Sequence, residues 1–450
     1  MAKDYDFVVL GSGNAGSAAA WVAKEAGKSV AMIESWDVGG TCALRGCVPK
    51  KVYVAAAETL HAIAQASEHH IAVGPATIDW PALLERKQGF VRDDPAAFEK
   101  GFLSYGYDVI HGAAKFTGAN TLTVGDDAYG FKQCVVATGS KARSLPIPGF
   151  EHTITSDDIM EMAELPESVV FIGGGVIAFE FGHVFQRAGA QVTILEVMDR
   201  ALPMKEPEIV DALLVESRRI GMEVITGAVT SKIVAENGGY TVHFAADGKE
   251  HTRSVAMVAN GAGRVANLAD LDLDAAGIDM AGPVLSVDKY LRSTSNPSVF
   301  GAGDTIAGPQ LSALASYEGR IAGENAMAGD GALTEPEYAS VPSVVFSVPN
   351  LASVGMTEAQ ATEAGLDFTV KTNEMTSWRS AVTYAETASM AKVLVDNGSD
   401  MILGANMLGH GAAETIHTFS FAIKYGITAS QLATNVYAYP TMTNDIKFLV

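Results

Sequence analysis

Two cysteines, Cys42 and Cys47, lie five positions apart in a chain of 450 residues that contains three cysteines in all. In a straight helix this separation would place their Cα atoms on the order of 8 Å apart, beyond the roughly 7 Å that a disulfide tolerates. Gly46 and Pro49 stand where the backbone could distort and close that gap. A helix N-terminus and the neighbouring basic residues would lower the pKa of each thiol. The spacing therefore indicates a pair that cycles between a disulfide and a dithiol.

Metal binding and simple packing fit the spacing of these cysteines less well. Zinc requires a different ligand spacing, and Cys134 is the only other cysteine, so we predict no metal site. A pair of buried, unpaired thiols would merely pack, and Cys134, which lies within an apolar run, is expected to do so. The charged N-terminal residues show no secretory signal, which favours a reducing cytoplasm. In that compartment a close cysteine pair is more typically catalytic than structural.

Length, composition and charge limit the possible classes of protein. Hydrophobic residues make up 48% of the chain and charged residues 18%, which indicates a globular protein. The length predicts about three domains. The formal net charge of −21 disfavours binding to nucleic acid or to an anionic membrane surface. No uninterrupted apolar run of about 18 residues occurs, so we expect no membrane span.

A glycine-rich turn stands near the start of the chain. Residues 5–10 predict a buried parallel strand, and Gly11, Gly13 and Gly16 follow it at once. An Ala-rich helical stretch and a second apolar run come next, and that run ends in Glu34. Such glycines allow a tight turn and close approach of a pyrophosphate to the helix N-terminus, and the acid binds ribose hydroxyls. These residues therefore predict a dinucleotide site.

The same pattern recurs in the middle of the chain. Gly173, Gly175 and Ala178 follow a second apolar strand, and the strand after the next helix ends in Glu196. Two such patterns predict two dinucleotides, a flavin and a nicotinamide. The Glu196 carboxylate would accept hydrogen bonds from ribose hydroxyls and repel a 2′-phosphate, which favours NADH, whereas the nearby Arg200 leaves NADPH open.

The remaining stretches are predicted more coarsely. Residues 52–103 predict helices, and residues 222–262 predict strands. Asp304 ends a glycine-containing turn after an apolar strand, where its carboxylate could hydrogen-bond a polyhydroxyl chain. Beyond about residue 336 the pattern predicts an antiparallel sheet with a helix over residues 412–424. The predicted strands of that sheet are 344–347, 351–354, 391–395 and 401–407.

Several of these motifs together resemble a known family. The segment from residue 39 to residue 51, both glycine-rich patterns, Ala137-Thr138-Gly139 and the turn ending in Asp304 are similar to those of the class I pyridine nucleotide-disulfide oxidoreductases. Glutathione reductase, dihydrolipoamide dehydrogenase and mercuric reductase belong to this family, and the resemblance covers essentially the whole chain. It implies an α/β fold with two Rossmann-like dinucleotide-binding domains, one for FAD and one for NAD(P), and a C-terminal α+β dimerisation domain in a homodimer. The implied boundaries are 1–145 for the FAD domain, 146–265 for the NAD(P) domain, 266–335 for a central segment completing the FAD domain, and 336–450 for the dimerisation domain.

The resemblance also implies roles for particular positions. Cys42 resembles the interchange thiol that attacks the substrate, and Cys47 resembles the thiol beside the flavin. Lys50 resembles the lysine near flavin N5, and Glu180 resembles its ion-pair partner beside the nicotinamide. The residues expected to bind the cofactors are Gly11, Gly13, Gly16, Glu34, Thr41, Lys50, Ala114, Thr138, Gly139, Gly173, Gly175, Ala178, Glu196, Gly263 and Asp304.

The C-terminal segment departs from the family pattern. Members commonly carry His-Pro-Thr-x-Ser-Glu, whose histidine serves as acid/base for the interchange thiol of the other subunit, whereas this chain has Tyr439-Pro-Thr-Met-Thr-Asn444. A phenol is a weaker base than an imidazole at neutral pH, and an amide carries no charge. Mercuric reductases also place a tyrosine there. We expect Tyr439 to act as a weak proton donor or an orienting group.

These features predict an FAD-dependent oxidoreductase. Electrons would pass from NADH or NADPH through the flavin and the Cys42–Cys47 disulfide to a small disulfide substrate. A reductase of a metal ion, as in mercuric reductase, or of a quinone is the alternative that the altered C-terminal segment motivates. A dihydrolipoamide dehydrogenase-type enzyme running toward NAD+ stays open. A scaffold subunit that keeps FAD for structure is disfavoured by the intact cysteine pair.

Overall fold

A computed structural model describes residues 3–236, 238–329 and 331–450. The chain divides into two compact units. The first unit consists of Met1–Lys51, Glu85–Arg143 and Arg264–Glu337. The second unit consists of Val52–Leu84, Ser144–Gly263 and Tyr338–Val450.

The described ranges contain the following strands and helices. The strands are β1 Lys3–Leu10, β2 Val30–Glu34, β3 Asp108–His111, β4 Ala114–Gly118, β5 Thr121–Val124, β6 Asp127–Val136, β7 Ser140–Ala142, β8 Ser168–Ile172, β9 Gln191–Leu195, β10 Glu223–Ile225, β11 Val229–Glu236, β12 Gly239–Ala246, β13 Lys249–Val255, β14 Met257–Asn260, β15 Arg264–Ala266, β16 Met280–Ala281, β17 Val284–Leu285, β18 Val299–Gly301, β19 Ser343–Val345, β20 Asn350–Gly355, β21 Phe368–Glu374, β22 Met390–Asp396 and β23 Ile402–Gly409. The α-helices are α1 Asn14–Glu25, α2 Gly40–Arg45, α3 Cys47–Ala64, α4 Trp80–Val91, α5 Asp94–Ser104, α6 Ser156–Ile159, α7 Val176–Ala188, α8 Pro207–Arg219, α9 Ser312–Met327, α10 Glu358–Glu363, α11 Arg379–Thr383, α12 Ala412–Tyr425, α13 Ala429–Thr434 and α14 Ile446–Leu449.

The first unit is organised around a seven-stranded sheet in the order β3-β2-β1-β6-β5-β4, with β18 paired to β6. β1 lies parallel to both β2 and β6, and β18 lies parallel to β6. The central strand β1 is apolar and buried over its C-terminal half, as expected for a parallel strand covered on both faces. Cys134 lies on β6 with no exposed surface, which confirms that it packs in the core.

Helices α1 and α9 pack closely within the first unit because small residues face each other. A Cβ added to Gly319 of α9 would lie 2.1 Å from the carbonyl oxygen of Ala15 on α1. A Cβ added to Gly323 would lie 3.0 Å from the carbonyl oxygen of Ala19. The glycines therefore set the distance between the two helix backbones. This packing fixes the N-termini of both helices relative to the end of the sheet.

The second unit contains two kinds of sheet. A four-stranded parallel sheet in the order β10-β9-β8-β14 carries α7 in its β8–β9 connection. An antiparallel meander of β11, β12 and β13 follows α8 in the chain. The C-terminal part forms a five-stranded antiparallel sheet in the order β19-β20-β23-β22-β21, against which α12 packs.

The architecture confirms the predicted α/β fold class. Two predictions of individual helices and strands differ from the structure. The prediction of helices over residues 52–103 was too broad, because α3 begins at Cys47 and residues 71–79 form neither helix nor strand. Strand β21 was not predicted, because it is an edge strand whose side chains are mostly exposed and whose apolar pattern is weak.

Candidate active site

The cysteine pair lies where one helix ends and another begins. Helix α2 ends at Arg45, Gly46 adopts φ −145° and ψ −114°, and α3 begins at Cys47. A Cβ added to Gly46 would lie 2.8 Å from the carbonyl oxygen of Thr41. The break at Gly46 brings Cys42 and Cys47 within hydrogen-bonding distance, which a continuous helix would not allow. The expectation that the backbone distorts at Gly46 is confirmed.

The two thiols share a proton. The Cys47 thiol donates a hydrogen bond to the sulfur of Cys42, and this contact lowers the pKa of Cys42 to about 6, although burial opposes the shift. The positive charge of Lys50 lowers the pKa further. The same contact between the thiols raises the pKa of Cys47. Near neutral pH the reduced pair therefore carries one negative charge, centred on Cys42.

A hydroxyl group from a distant part of the chain also reaches this sulfur. Ser312, the first residue of α9, makes a side-chain hydrogen bond with Cys42 that lowers the pKa of that thiol. The amide of Asn14, the first residue of α1, donates to the Ser312 hydroxyl at 2.8 Å. The sequence analysis missed both polar side chains. Their positions at helix starts after glycine turns were the available signal, but only the packing of α1 on α9 brings them together.

The first glycine-rich turn fits a pyrophosphate. Gly11 has φ +100°, and a Cβ added to it would lie 2.4 Å from the carbonyl oxygen of Ala137, so only glycine fits there. Helix α1 starts after Gly13 with no side-chain cap and no acidic residue in its first turn. At the end of β2 the Glu34 carboxylate accepts the Ser12 N–H at 2.9 Å and the Trp36 N–H at 2.9 Å. Backbone N–H groups and a fixed carboxylate are the donor and acceptor set that a dinucleotide requires.

The second glycine-rich turn repeats this arrangement. A Cβ added to Gly173 would lie 2.5 Å from the carbonyl oxygen of Gly261, and α7 starts after Gly175 without a side-chain cap. The buried Glu196 carboxylate accepts the Gly174 N–H at 2.6 Å and the Met198 N–H at 2.8 Å. In each unit, therefore, the acid that ends the second strand accepts two backbone N–H groups. One belongs to the glycine-rich turn, and the other belongs to the residue two positions after the acid.

The other predicted FAD-binding residues also lie in the first unit. Asp304, in a short 3₁₀ turn, accepts the Ser140 hydroxyl at 2.6 Å. Thr138 donates through Oγ1 to the Asn267 carbonyl at 2.8 Å, and Gly139 follows with φ +68°. The remaining predicted contacts in this unit are Gly16 of α1, Thr41 of α2, Lys50 of α3 and Ala114 of β4.

Besides the residues of the second glycine-rich turn and Glu196, four predicted residues lie in the second unit. Glu180 of α7 is buried, and its carboxylate accepts the Phe346 N–H at 2.9 Å. Ala178 of the same helix is fully buried, and Gly263 follows β14 with φ +90°. Tyr439 is 69% exposed in the C-terminal segment, where Asn444 is buried. The ion pair expected between Lys50 and Glu180 stays a prediction, since the two residues belong to different units.

Among the described residues, no helix has the length and apolar character needed to cross a membrane.

Comparisons with known proteins give matches that cover nearly the whole chain. Residues 5–319 match the family model "pyridine nucleotide-disulphide oxidoreductase", and residues 341–449 match the dimerisation domain of the same family. The chain is 33% identical to a dihydrolipoyl dehydrogenase of Bacillus subtilis (strain 168), over 97% of this chain and 94% of that protein. It is 32% identical to a mercuric reductase of Staphylococcus aureus, over 99% of this chain and 81% of that protein.

One solved structure is also similar over the full length of the chain. The HOCl-induced flavoprotein disulfide reductase RclA from Escherichia coli, in its Cu(II) complex, matches with a TM-score of 0.88 and 28% identity, over 100% of this chain and 99% of that chain. The two glycine turns, the fixed acids and the cysteine pair agree with these matches. The chain belongs to the pyridine nucleotide-disulphide oxidoreductase family and is a flavoprotein disulfide oxidoreductase that uses FAD and NAD(P)H.

Proposed function

We propose that this enzyme takes electrons from NADH and delivers them through FAD and the Cys42–Cys47 pair to a small disulfide. The observation that carries the proposal is the hydrogen bond between the two thiols, with the pKa of Cys42 lowered to about 6. The thiolate, not the thiol, attacks disulfides, and Cys42 is mostly ionised at neutral pH. Cys42 is therefore the attacking sulfur and Cys47 the resolving one.

FAD, when bound, supplies the two-electron relay between the nicotinamide and the sulfur pair. The Cys42 thiolate attacks one sulfur of the substrate, so that a mixed disulfide forms, the substrate S–S bond breaks and the first thiol leaves. Cys47 then loses its proton and attacks the sulfur of Cys42, which restores the Cys42–Cys47 disulfide and releases the second thiol. The substrate gains two electrons, and its two sulfurs take up the Cys47 proton and one proton from solvent or from Tyr439.

The preference for NADH rests on two side chains after β9. Glu196 is held by two backbone N–H groups, so its carboxylate is fixed where a ribose would bind. Arg200, the nearby cation, is bound by both carboxylate oxygens of Asp211 at 2.8 Å. The pair engages one NH₂ group of Arg200 and places a negative charge beside it, which weakens the attraction of the guanidinium for a 2′-phosphate. We propose NADH as the better donor.

The remaining assignments follow the family pattern. By the family pattern, Lys50 would hold the flavin near N5, and Glu180 would lie beside the nicotinamide. In a homodimer formed through the C-terminal domain, the exposed Tyr439 would serve the other copy's cysteine pair as an orienting group or weak proton donor. The domain division at about residues 145, 265 and 335 is part of this proposal, as are a cytoplasmic location and the cofactor-binding set given above.

A panel of small disulfides assayed with NADH and NADPH tests this function. Glutathione disulfide, oxidised lipoamide, bis-glutamylcysteine disulfide and coenzyme A disulfide provide the panel, and Cys42→Ser and Cys47→Ser provide the variants. We expect at least one disulfide to be reduced with NADH and both variants to lose that activity. Cys134→Ala is the matched control, because Cys134 packs in the core and should not affect turnover. Disulfide turnover that survives Cys42→Ser would refute the assignment.

A metal ion is a second candidate substrate. One relative of this chain is named mercuric reductase, and one similar protein was solved as a Cu(II) complex. Thiolates bind such metal ions well. The cysteine pair would then bind the ion as it is reduced. Oxidation of NADH that depends on Hg(II) or Cu(II), with no turnover of any disulfide, would favour this reading. Turnover that persists in Cys42→Ser would instead indicate a direct flavin route to an acceptor such as a quinone.

A further inference from the structure

We propose that Ser343, Lys205 and Ser353 form a second reactive centre, in which the Ser343 hydroxyl attacks small carboxylic esters and Lys205 takes up its proton. The three residues belong to the second unit, whereas the cysteine pair belongs to the first. The acyl transfer involves no electron transfer, so it is independent of the reductase function proposed above.

The three side chains form a closed triangle of hydrogen bonds. The Lys205 amine donates to the Ser343 hydroxyl at 2.5 Å and to the Ser353 hydroxyl at 2.8 Å. The two hydroxyl oxygens lie 3.0 Å apart, which is also a hydrogen-bonding distance. Serine is activated for acyl transfer when a base contacts its hydroxyl and a third group orients that base. The triangle supplies all three parts, with Ser343 as nucleophile, Lys205 as base and Ser353 as the orienting group.

A strand pair and one turn bring these side chains together. Ser343 and Ser353 lie opposite each other on the antiparallel strands β19 and β20. Side chains of such a cross-strand pair project from the same face of the sheet. Lys205 lies in the turn before α8, where its backbone N–H donates to the Leu202 carbonyl at 2.9 Å. The sheet register therefore fixes both hydroxyls, and the turn places the amine beside them.

Hydroxyl partners leave Lys205 able to act as a base. A carboxylate partner would favour the ammonium form, but the acid next in the chain, Glu206, pairs with Lys392 at 2.7 Å. A hydroxyl can accept from an ammonium or donate to a neutral amine, so the triangle keeps its hydrogen bonds in both protonation states. Burial also lowers the pKa of Lys205 to about 8, which makes the neutral amine available close to neutral pH.

The centre is open to a small molecule from solvent. Ser343, Ser353 and Lys205 are each partly exposed, and the adjacent Met204 is 80% exposed. In the sheet that the structure describes, β19 is an edge strand, so no further strand covers its outer side. Because the three reacting groups are only partly exposed, the site fits a small ester.

The reaction balances without a cofactor. The Ser343 oxygen bonds to the acyl carbon while Lys205 takes the hydroxyl proton, and the ester C–O bond breaks as the alkoxide leaves with that proton. Water then attacks the acyl carbon and gives a proton to Lys205. The carboxylic acid leaves as the Ser343 oxygen recovers this proton, and no atom is oxidised or reduced.

The test is covalent labelling of the oxidised holoenzyme with a fluorophosphonate, a reagent that reacts with base-activated serines. The Cys42–Cys47 disulfide blocks both thiols under these conditions, and peptide mass spectrometry locates the modified serine. We expect Ser343 to be labelled. Lys205→Met and Lys205→Arg, which both remove the base, should slow the labelling about 100-fold. Hydrolysis of p-nitrophenyl acetate should fall in the same variants and in Ser343→Ala.

Lys371→Met is the matched control, because Lys371 is an exposed lysine on β21 of the same sheet. It should leave the labelling unchanged. FAD content and the far-ultraviolet circular dichroism spectrum report whether each variant is folded, and Lys205→Arg keeps the positive charge if Lys205→Met does not fold. A wild-type enzyme with no label on Ser343, or labelling that persists in folded Lys205→Arg, would overturn the inference. Ester hydrolysis that persists in Ser343→Ala would also overturn it.

Discussion

Replacement of Glu196 by glutamine should move the nicotinamide preference toward NADPH. Glu196 is 7% exposed, and its two carboxylate oxygens separately accept N–H groups at 2.6 Å and 2.8 Å. An amide offers one acceptor oxygen in place of two, so one backbone N–H would face an NH₂ group. The substitution therefore weakens the support of the side chain and removes the negative charge that would repel a 2′-phosphate.

The size of the effect follows from the bonds involved. A hydrogen bond to a charged group contributes about 1.5–3 kcal/mol, so loss of one ribose contact corresponds to about 10- to 150-fold in kcat/KM for NADH. NADPH gains instead, because the repulsion of its phosphate is relieved. We expect the ratio of kcat/KM for NADH over NADPH to fall by at least about tenfold.

The assay is steady-state oxidation of each nicotinamide with one disulfide held saturating. Adding Asp211→Asn to Glu196→Gln should lower the ratio further, because Arg200 is then no longer held by both carboxylate oxygens. Glu164→Gln, at an exposed position of the same unit, controls for the change in net charge. If Glu196→Gln reduces kcat/KM equally for both nicotinamides, the side chain supports the fold of the turn and does not select the cofactor.

Three further predictions concern the cysteine loop and the second unit. Cys47→Ala removes the hydrogen-bond donor that favours the thiolate of Cys42, so the pKa of Cys42 should rise from about 6 toward the ordinary thiol range. Alkylation of Cys42 at pH 7 should therefore slow. An unchanged midpoint in the pH dependence of this alkylation would contradict the prediction. Gly46→Ala places a Cβ 2.8 Å from a backbone carbonyl oxygen of α2 and should slow formation of the Cys42–Cys47 disulfide. The rate is measured by counting free thiols after exposure to oxidised dithiothreitol. A wild-type rate would show that the backbone around residue 46 adjusts to the added methyl group. Lys392→Met removes the ammonium group that pairs with the buried Glu206 carboxylate at 2.7 Å. In urea unfolding, the free energy of unfolding should fall by about 3–5 kcal/mol. A decrease below about 1 kcal/mol would contradict the stabilising role of this ion pair.

One core position and one surface position serve as references for these measurements. Cys134 is fully buried, so its labelling reports unfolding and not thiolate chemistry. Lys289 pairs with Glu335 at the surface, where both side chains are more than half exposed. Lys289→Met should leave the free energy of unfolding almost unchanged, in contrast to the buried lysine.

The sequence predicts the dinucleotide turns well because their requirements are local. Gly11 and Gly173 must adopt positive φ against a neighbouring backbone, and Glu34 and Glu196 must end the next strand. Each requirement is met within about 25 consecutive residues, so spacing alone reveals it. The break at Gly46 is local in the same sense.

The parts of the site that could not be predicted depend on contacts between distant segments. Asn14 and Ser312 are 298 positions apart, and only the packing of α1 on α9 brings them together. The partner of Asp304, Ser140, lies on a separate short strand. Strand β21 was missed for a different reason, since an exposed edge strand needs no apolar alternation to pair with β22. Polar contacts of this kind leave no periodic pattern in the sequence.

The central claim is that electrons from NADH arrive at the Cys42–Cys47 pair. The most direct measurement is anaerobic titration of the air-oxidised holoenzyme with NADH, followed by alkylation and peptide mass spectrometry. We predict that neither cysteine is labelled before NADH is added, and that both become labelled after about one equivalent per chain while Cys134 stays unlabelled. Consumption of NADH with both cysteines still blocked, or free thiols at both positions before any NADH is added, would contradict the account.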